Sequence, residues 1–171
     1  MDECLGPQMD IHMQPMTNNQ RVQRAVELFM SGFNCSQSVV AAFADLYGLT
    51  EKQALLASAG FGGGVGRMRM MCGAVSGVVM LAGLDKGQTE GADREGKARC
   101  YKCVQDLVER FRQTNGSVIC AELLGLKGPV PPGNYIPDER NAEYYKKRPC
   151  AAKIESAARI FAEYLDASCT E

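Results

Sequence analysis

The sequence predicts an all-α protein, a single compact multi-helix domain of about six or seven helices in which a glycine-rich loop leads into a central helix. Three observations carry this expectation. Apolar residues recur at three- and four-residue spacing through most of the chain. Capping residues open these segments, and glycine or proline closes several of them. The length of 171 residues, with 46% apolar and 23% charged residues, suits one soluble domain with a substantial core.

Residues 1–18 hold Pro7, Pro15 and scattered methionines without a periodic face, so a flexible tail is expected there, with Cys4 incidental to it. The helical, cysteine-containing domain is then 19–171. Val22, Ala25, Val26, Phe29, Met30 and Phe33 make the apolar face of a first helix, which stops near Ser31 and Gly32. Asn34 and Gln37 form a capping-box pattern that places Cys35 in the first turn of a second helix, on a stripe continued by Val39, Ala42 and Leu46. Thr50 and Gln53 repeat the pattern for a third helix over 51–59. The glycine loop follows, and Cys72 stands where the next helix begins.

In that central helix Gly73 and Gly77 share a face, and Gly83 and Gly87 repeat the spacing. Glycine in a helix costs about 1 kcal/mol relative to alanine, so close approach of another backbone or of a cofactor is expected. A homodimer packed through this small-residue face and internal packing are both compatible with the pattern. A polar connection over 85–93 leads to a long helix over 92–113, with Cys100, Val104, Leu107, Val108 and Phe111 as its stripe and Asn115-Gly116 as its stop. Ser117 caps a short helix reaching Leu124, with Cys120 in its first turn. Residues 125–137 form a proline-rich loop, 138–146 a helical turn or two, and Pro149 opens the last helix. Cys150, Ile154, Ala157, Phe161 and Leu165 line the apolar face of that helix, and Cys169 falls at the chain end.

The net charge of −1 gives no reason to expect nucleic acid or an anionic membrane as partner. The first residues lack a basic start and an apolar core, and the apolar run at 74–84 is well short of the roughly 20 residues that span a bilayer. A cytoplasmic protein is expected. Eight cysteines in that compartment read as buried thiols, metal ligands or redox groups rather than as structural disulfides. The single histidine, His12, lies in the tail, which argues against Ser-His-Asp or Cys-His catalysis and leaves sulfur or carboxylate for any metal.

Gly60, Gly62, Gly63, Gly64 and Gly66 fit neither G-x-G-x-x-G nor a P-loop. They are expected to let the backbone turn tightly past a buried site. Cys72, at a helix start, meets unpaired backbone N–H groups and the positive end of the helix dipole, both of which favour its thiolate. Arg67 and Arg69 would add to this if they folded over it, although solvation is the ordinary fate of loop arginines. Cys100 and Cys103 form a C-x-x-C pair in mid-helix, with Cys100 expected in the core and Cys103 at its boundary. No histidine follows Cys103, so no c-type haem is expected.

Four cysteines, Cys35, Cys72, Cys120 and Cys150, thus share one local setting, at or beside the first turn of a predicted helix. Brought together, they would make a partly buried, electropositive pocket of sulfurs, although small buried hydrophobes are an equal reading of the pattern. At these residues the chain resembles the redox-active family labelled by its motif C_GCAxxG_C_C. The resemblance runs from Phe33-Asn34-Cys35 through Gly60-Phe61-Gly62-Gly63-Gly64, Cys72-Gly73-Ala74-Val75-Ser76-Gly77 and Gly116-Ser117-Val118-Ile119-Cys120 to Cys150. It implies redox activity without naming a substrate. A similar domain occurs in split-Soret cytochromes, where four cysteines are taken as ligands of an iron-sulfur cluster beside a haem, and only the cluster half of that analogy carries over.

Three functions compete at this point. The first is electron transfer through an iron-sulfur cluster, two-iron by expectation, held by Cys35, Cys72, Cys120 and Cys150. The second is a thiol-disulfide oxidoreductase with Cys72 as the reactive thiolate and Cys35 as its redox partner. The third is a structural zinc site on the same four cysteines. The sequence names no electron donor or acceptor.

Overall fold

A helix that is apolar on every side has to be wrapped by its neighbours. The segment Gly73–Lys86 is such a helix, with Gly73, Ala74, Val75, Ser76, Gly77, Val78, Leu81 and Ala82 all buried. In the computed structural model, which describes residues 15–168, it is the centre of an all-helical fold. In chain order the helices are α1 (Asn18–Met30), α2 (Cys35–Phe43), α3 (Glu51–Ser58), α4 (Gly73–Lys86), α5 (Arg94–Asn115), α6 (Cys120–Leu123), α7 (Ala142–Lys147) and α8 (Cys150–Ser168). Single 3-10 turns, Ala44–Tyr47 and Ala59–Phe61, extend α2 and α3. The central α4 packs on α2, α5 and α8, while α1 lies across α8 and α2. Cys4 and His12 in the expected tail, and Cys169, lie outside the described residues.

Local signals set most boundaries. Asn34 and Thr50 cap α2 and α3 through reciprocal boxes with Gln37 and Gln53, as the sequence predicts. The first helix starts one residue earlier than expected, because Thr17 makes a box of its own with Gln20. Leu46 departs from its predicted place: α2 tightens into a 3-10 turn after Phe43, the stripe rotates, and Leu46 is left 46% exposed. The turn instead brings Asp45 to Arg21, whose side chain is 1% exposed and bonds Asp45 at 2.5 and 2.8 Å and the Ala42 carbonyl at 3.0 Å. An arginine inside the first helix stripe has no apolar signature, so sequence reading passed it over.

The glycine face of α4 is used within the chain. A Cβ on Gly73 would stand 3.1 Å from Cys35 Cβ, and one on Gly77 would stand 2.9 Å from Val39 Cβ. The two glycines therefore let α2 lie against α4 and hold Cys35 over the start of α4. At the far end of α2, Phe43 packs edge to face on Phe161 of α8, 5.2 Å between ring centroids. On α5 the expected order of the C-x-x-C pair is reversed: Cys103 packs against the core beside Tyr164, and Cys100 does not. Among the described residues no helix is long and apolar enough to cross a membrane.

The two kinds of glycine in α4 should respond oppositely to a methyl group. Gly77→Ala is expected to lose about 1–3 kcal/mol through overpacking on Val39. Gly83→Ala, with nothing within 4 Å of the added carbon, is expected to gain up to about 1 kcal/mol. Urea unfolding of both variants checks the contrast.

Candidate functional site

Each of the four cysteines singled out by sequence reaches the same cavity from a different helix start. Cys35, Cys120 and Cys150 are the first residues of α2, α6 and α8, and Cys72 is the N-cap of α4. All four line one cavity of about 370 Å³. Cys72 and Cys120 are buried, at 6% and 8% exposure, and Cys35 and Cys150 are half-buried. Cys100 and Cys103 do not line it.

A left-handed turn builds the floor. Residues 63–67 all have positive φ, with Gly63 at 64°, Gly64 at 75°, Val65 at 58°, Gly66 at 54° and Arg67 at 70°, and Arg69 follows at 62°. Each non-glycine residue held this way costs roughly 1–2 kcal/mol, so the loop stores strain. Backbone bonds oppose it: Gly66 N–H donates to Gly60 at 2.8 Å, Arg69 N–H to Gly63 at 3.1 Å and Met70 N–H to Gly64 at 3.0 Å. The outgoing chain is then stitched to the segment before α6. Cys120 N–H donates to the Met70 carbonyl at 2.6 Å, Ala121 N–H to the Arg69 carbonyl at 3.1 Å and Cys72 N–H to the Val118 carbonyl at 2.8 Å. The glycines expected to allow close passage do so here, since a Cβ on Gly64 would stand 2.7 Å from Cys120 Cβ.

Arginines form the wall. Arg69 is 9% exposed and reaches Cys120 Sγ at 3.9 Å. It is not a solvated loop residue, and its sulfur contact is to Cys120 rather than Cys72. Arg67 and Arg148 converge on Asp138 at 3.0 and 2.5 Å, which ties the stretch before α7 across the cavity to the glycine turn. Arg140 lies over the rings of Phe29 and Tyr144 at 4.7 and 4.6 Å and bonds the Phe33 carbonyl at 3.3 Å. Arg140 and Arg148 escaped sequence analysis. They flank the short α7, and only the fold, which brings both near Cys150, gives them meaning.

The thiols are not equivalent. Burial pushes Cys72 up to about 11, although the N–H groups of Ala74 and Val75 pull it down. The helix-start effect expected at Cys72 is therefore present, and desolvation outweighs it. Burial also raises Cys120 against the pull of Arg69. Cys150 goes the other way, down to about 7, chiefly through a hydrogen bond from Cys35, then through Arg148, Arg140 and Arg69. The same bond, with burial, holds Cys35 well above the ordinary thiol range. The most acidic of the four thiols is thus Cys150.

An all-helical fold with four convergent cysteines under an arginine wall defines a cysteine-centred protein, and its order of cysteines is a family signature. The chain belongs to the C_GCAxxG_C_C family, described as "Putative redox-active protein (C_GCAxxG_C_C)", whose family model spans residues 33–164. That span takes in all four pocket cysteines. No curated protein and no solved structure matches the chain.

Two measurements test this description. Gly64→Ala should lose about 3 kcal/mol or more, from left-handed strain plus collision with Cys120, whereas Gly66→Ala, with open space around it, should lose only about 1 kcal/mol. In metal-free protein, alkylation of Cys150 should rise with a midpoint near pH 7, with Cys72 unreactive until pH nears 11. Thiolate alkylates and thiol does not, so Arg148→Ala should move the Cys150 midpoint upward, read by mass spectrometry of labelled peptides.

Proposed function

We propose that this pocket is an electron-transfer centre in which Cys35, Cys72, Cys120 and Cys150 are the thiolate ligands of an iron-sulfur cluster. The observation that carries the reading is the convergence of four cysteines, each from its own helix start, on one arginine-walled cavity. An all-sulfur donor set of four is the ligand set of two-iron and four-iron clusters. Among the described residues no three Cys, His, Asp or Glu side chains come together closely enough for a single metal ion. A two-iron cluster, with two thiolates at each iron, would use all four cysteines.

Such a cluster, when bound, supplies one-electron transfer. The chain's own part is to orient the donors on rigid helix ends, to keep Cys72 and Cys120 away from water, and to offset negative charge with Arg69, Arg140 and Arg148. A cytoplasmic setting goes with this reading, since the cytosol keeps such thiols reduced. The redox partner is unassigned.

The opposite shifts of the neighbouring Cys35 and Cys150 thiols, one held protonated and one made acidic at the wall of the same cavity, support a second reading, thiol-disulfide exchange. Cys150 rather than Cys72 would then attack: its thiolate bonds one sulfur of a disulfide substrate and expels the other as thiolate. Cys35, on losing its proton, would displace the second substrate thiol and leave a Cys35–Cys150 disulfide, a two-electron oxidation of the protein matched by reduction of the substrate.

Anaerobic purification followed by iron and acid-labile sulfide analysis with an absorption spectrum separates the readings. Cys35→Ser, Cys72→Ser, Cys120→Ser and Cys150→Ser are each expected to abolish loading, and Cys103→Ser to leave it intact. Equal loading in Cys72→Ser and Cys103→Ser would overturn the ligand assignment. A colourless, metal-free protein that reduces a disulfide and stops doing so in Cys150→Ser would establish the second reading.

A further inference from the structure

The side chains around the four cysteines make the cavity wall cationic. Five basic side chains, Arg67, Arg69, Arg140, Arg148 and Lys153, line it against the one carboxylate of Asp138, in a chain whose net charge is −1. Asp138 is already shared between Arg67 and Arg148, and Lys153 bonds the Asn115 side chain at 3.1 Å. Neither Arg69 nor Arg140 enters an ion pair among the described residues. Arg69 spends its side-chain hydrogen bond on a sulfur at 3.9 Å, and Arg140 uses Nη2 on the Phe33 carbonyl.

Unsatisfied donors point the same way. Three buried side-chain polar atoms lack a hydrogen-bond partner among the described residues, and two of them, Arg67 Nε and Arg140 Nη1, belong to arginines of this cavity. Buried polar groups are ordinarily paired, and here two guanidinium groups of the cavity each carry a donor for which the described residues supply no acceptor. The guanidinium fork matches the paired oxygens of an oxyanion. Leu123, Leu124, Tyr135 and Pro137 add an apolar wall that would cover the body of a small organic molecule.

We propose that Arg69 and Arg140 form the subsite for an oxyanion, the carboxylate or the sulfur or phosphorus oxyanion of a small molecule bound beside the four cysteines. That this molecule exchanges electrons with the cysteines rests on the redox reading of the pocket; the anion subsite itself does not. The basic lining, and the lack of an ion-pair partner for Arg69 and Arg140 among the described residues, select the anionic group, and the cavity volume of about 370 Å³ limits the ligand to a small molecule.

Calorimetric titration of the full-length protein with sulfate, phosphate and succinate at low chloride tests the subsite. Saturable single-site binding of at least one probe is expected, weakened about tenfold or more in Arg140→Gln and in Arg69→Gln. Arg110→Gln, which breaks the exposed pair with Glu163 away from the cavity, should bind as wild type. Arg140→Lys keeps the charge without the fork and should bind more weakly than wild type with an unchanged far-ultraviolet circular dichroism spectrum, so a misfolded Arg69→Gln does not decide the matter. Absence of saturable binding by all three probes, or binding that survives both glutamine substitutions, overturns the proposal. Iron and sulfide analysis of the same samples keeps the two ideas apart: a loaded cluster without anion binding defeats this inference alone, and anion binding without a cluster defeats the cluster alone.

Discussion

The site depends on one backbone constraint, the left-handed turn over residues 63–67. Right-handed chain would carry α3 straight past the start of α4, whereas a run of positive φ reverses it within a few residues and returns it to Cys120. Only glycine enters this region without cost, and Gly63, Gly64 and Gly66 supply most of the run. Val65, Arg67 and Arg69 are held there against their preference by bonds from both sides. The reward is position: Arg67 and Arg69 face the cavity, and Cys72 and Cys120 are locked to each other's segments by backbone hydrogen bonds. Strain accepted in a loop that carries two arginines and abuts two cysteines is the pattern of a functional site rather than of a linker.

Packing around α4 solves a matching problem. Four cysteines can meet only if the helix starts that carry them meet, and ordinary side chains keep helix axes 8–10 Å apart. Gly73 and Gly77 remove that spacer where α2 crosses α4, which brings Cys35 next to the N-cap cysteine of α4. The small-residue face is therefore filled from within the chain. The two ion pairs that Asp138 makes with Arg67 and Arg148 then tie the start of α8, and Cys150 with it, to the glycine turn.

Much of this was legible in the sequence because it is local. Capping boxes at Asn34 and Thr50, the Asn115-Gly116 stop and Pro149 before α8 act within one turn, and together with Ser117 and the end of the glycine loop they mark the helix starts at which the four cysteines stand. What sequence could not give was non-local. Arg21 reads as a surface residue until the 3-10 turn brings Asp45 to it. Arg140 and Arg148 look like solvated charges near a short helix until the chain folds them over Phe29, Tyr144 and Asp138. The stripe that includes Leu46 presumes an unbroken α-helix, and periodicity alone puts Cys100 in the core, where rotation of α5 gives that place to Cys103.

The thiol at Cys72 shows how two correct local arguments combine into a different outcome. A helix start does favour a thiolate, and the Ala74 and Val75 N–H groups do so here. The dipole contribution is bounded by the few exposed peptide groups of the first turn, while burial acts on the whole charge. At these buried positions desolvation wins at Cys72 and Cys120, and only Cys150, with a donor in Cys35 and three arginines around it, keeps an acidic thiol. A pocket in which three of four sulfurs resist ionisation becomes fully anionic only when something positive enters with the loss of protons, which is the thermodynamic behaviour of a ligand set. In its absence, one acidic sulfur beside one protonated sulfur is the arrangement that thiol exchange needs. Both proposed chemistries therefore draw on the same electrostatic asymmetry, and which one operates is decided by what occupies the cavity.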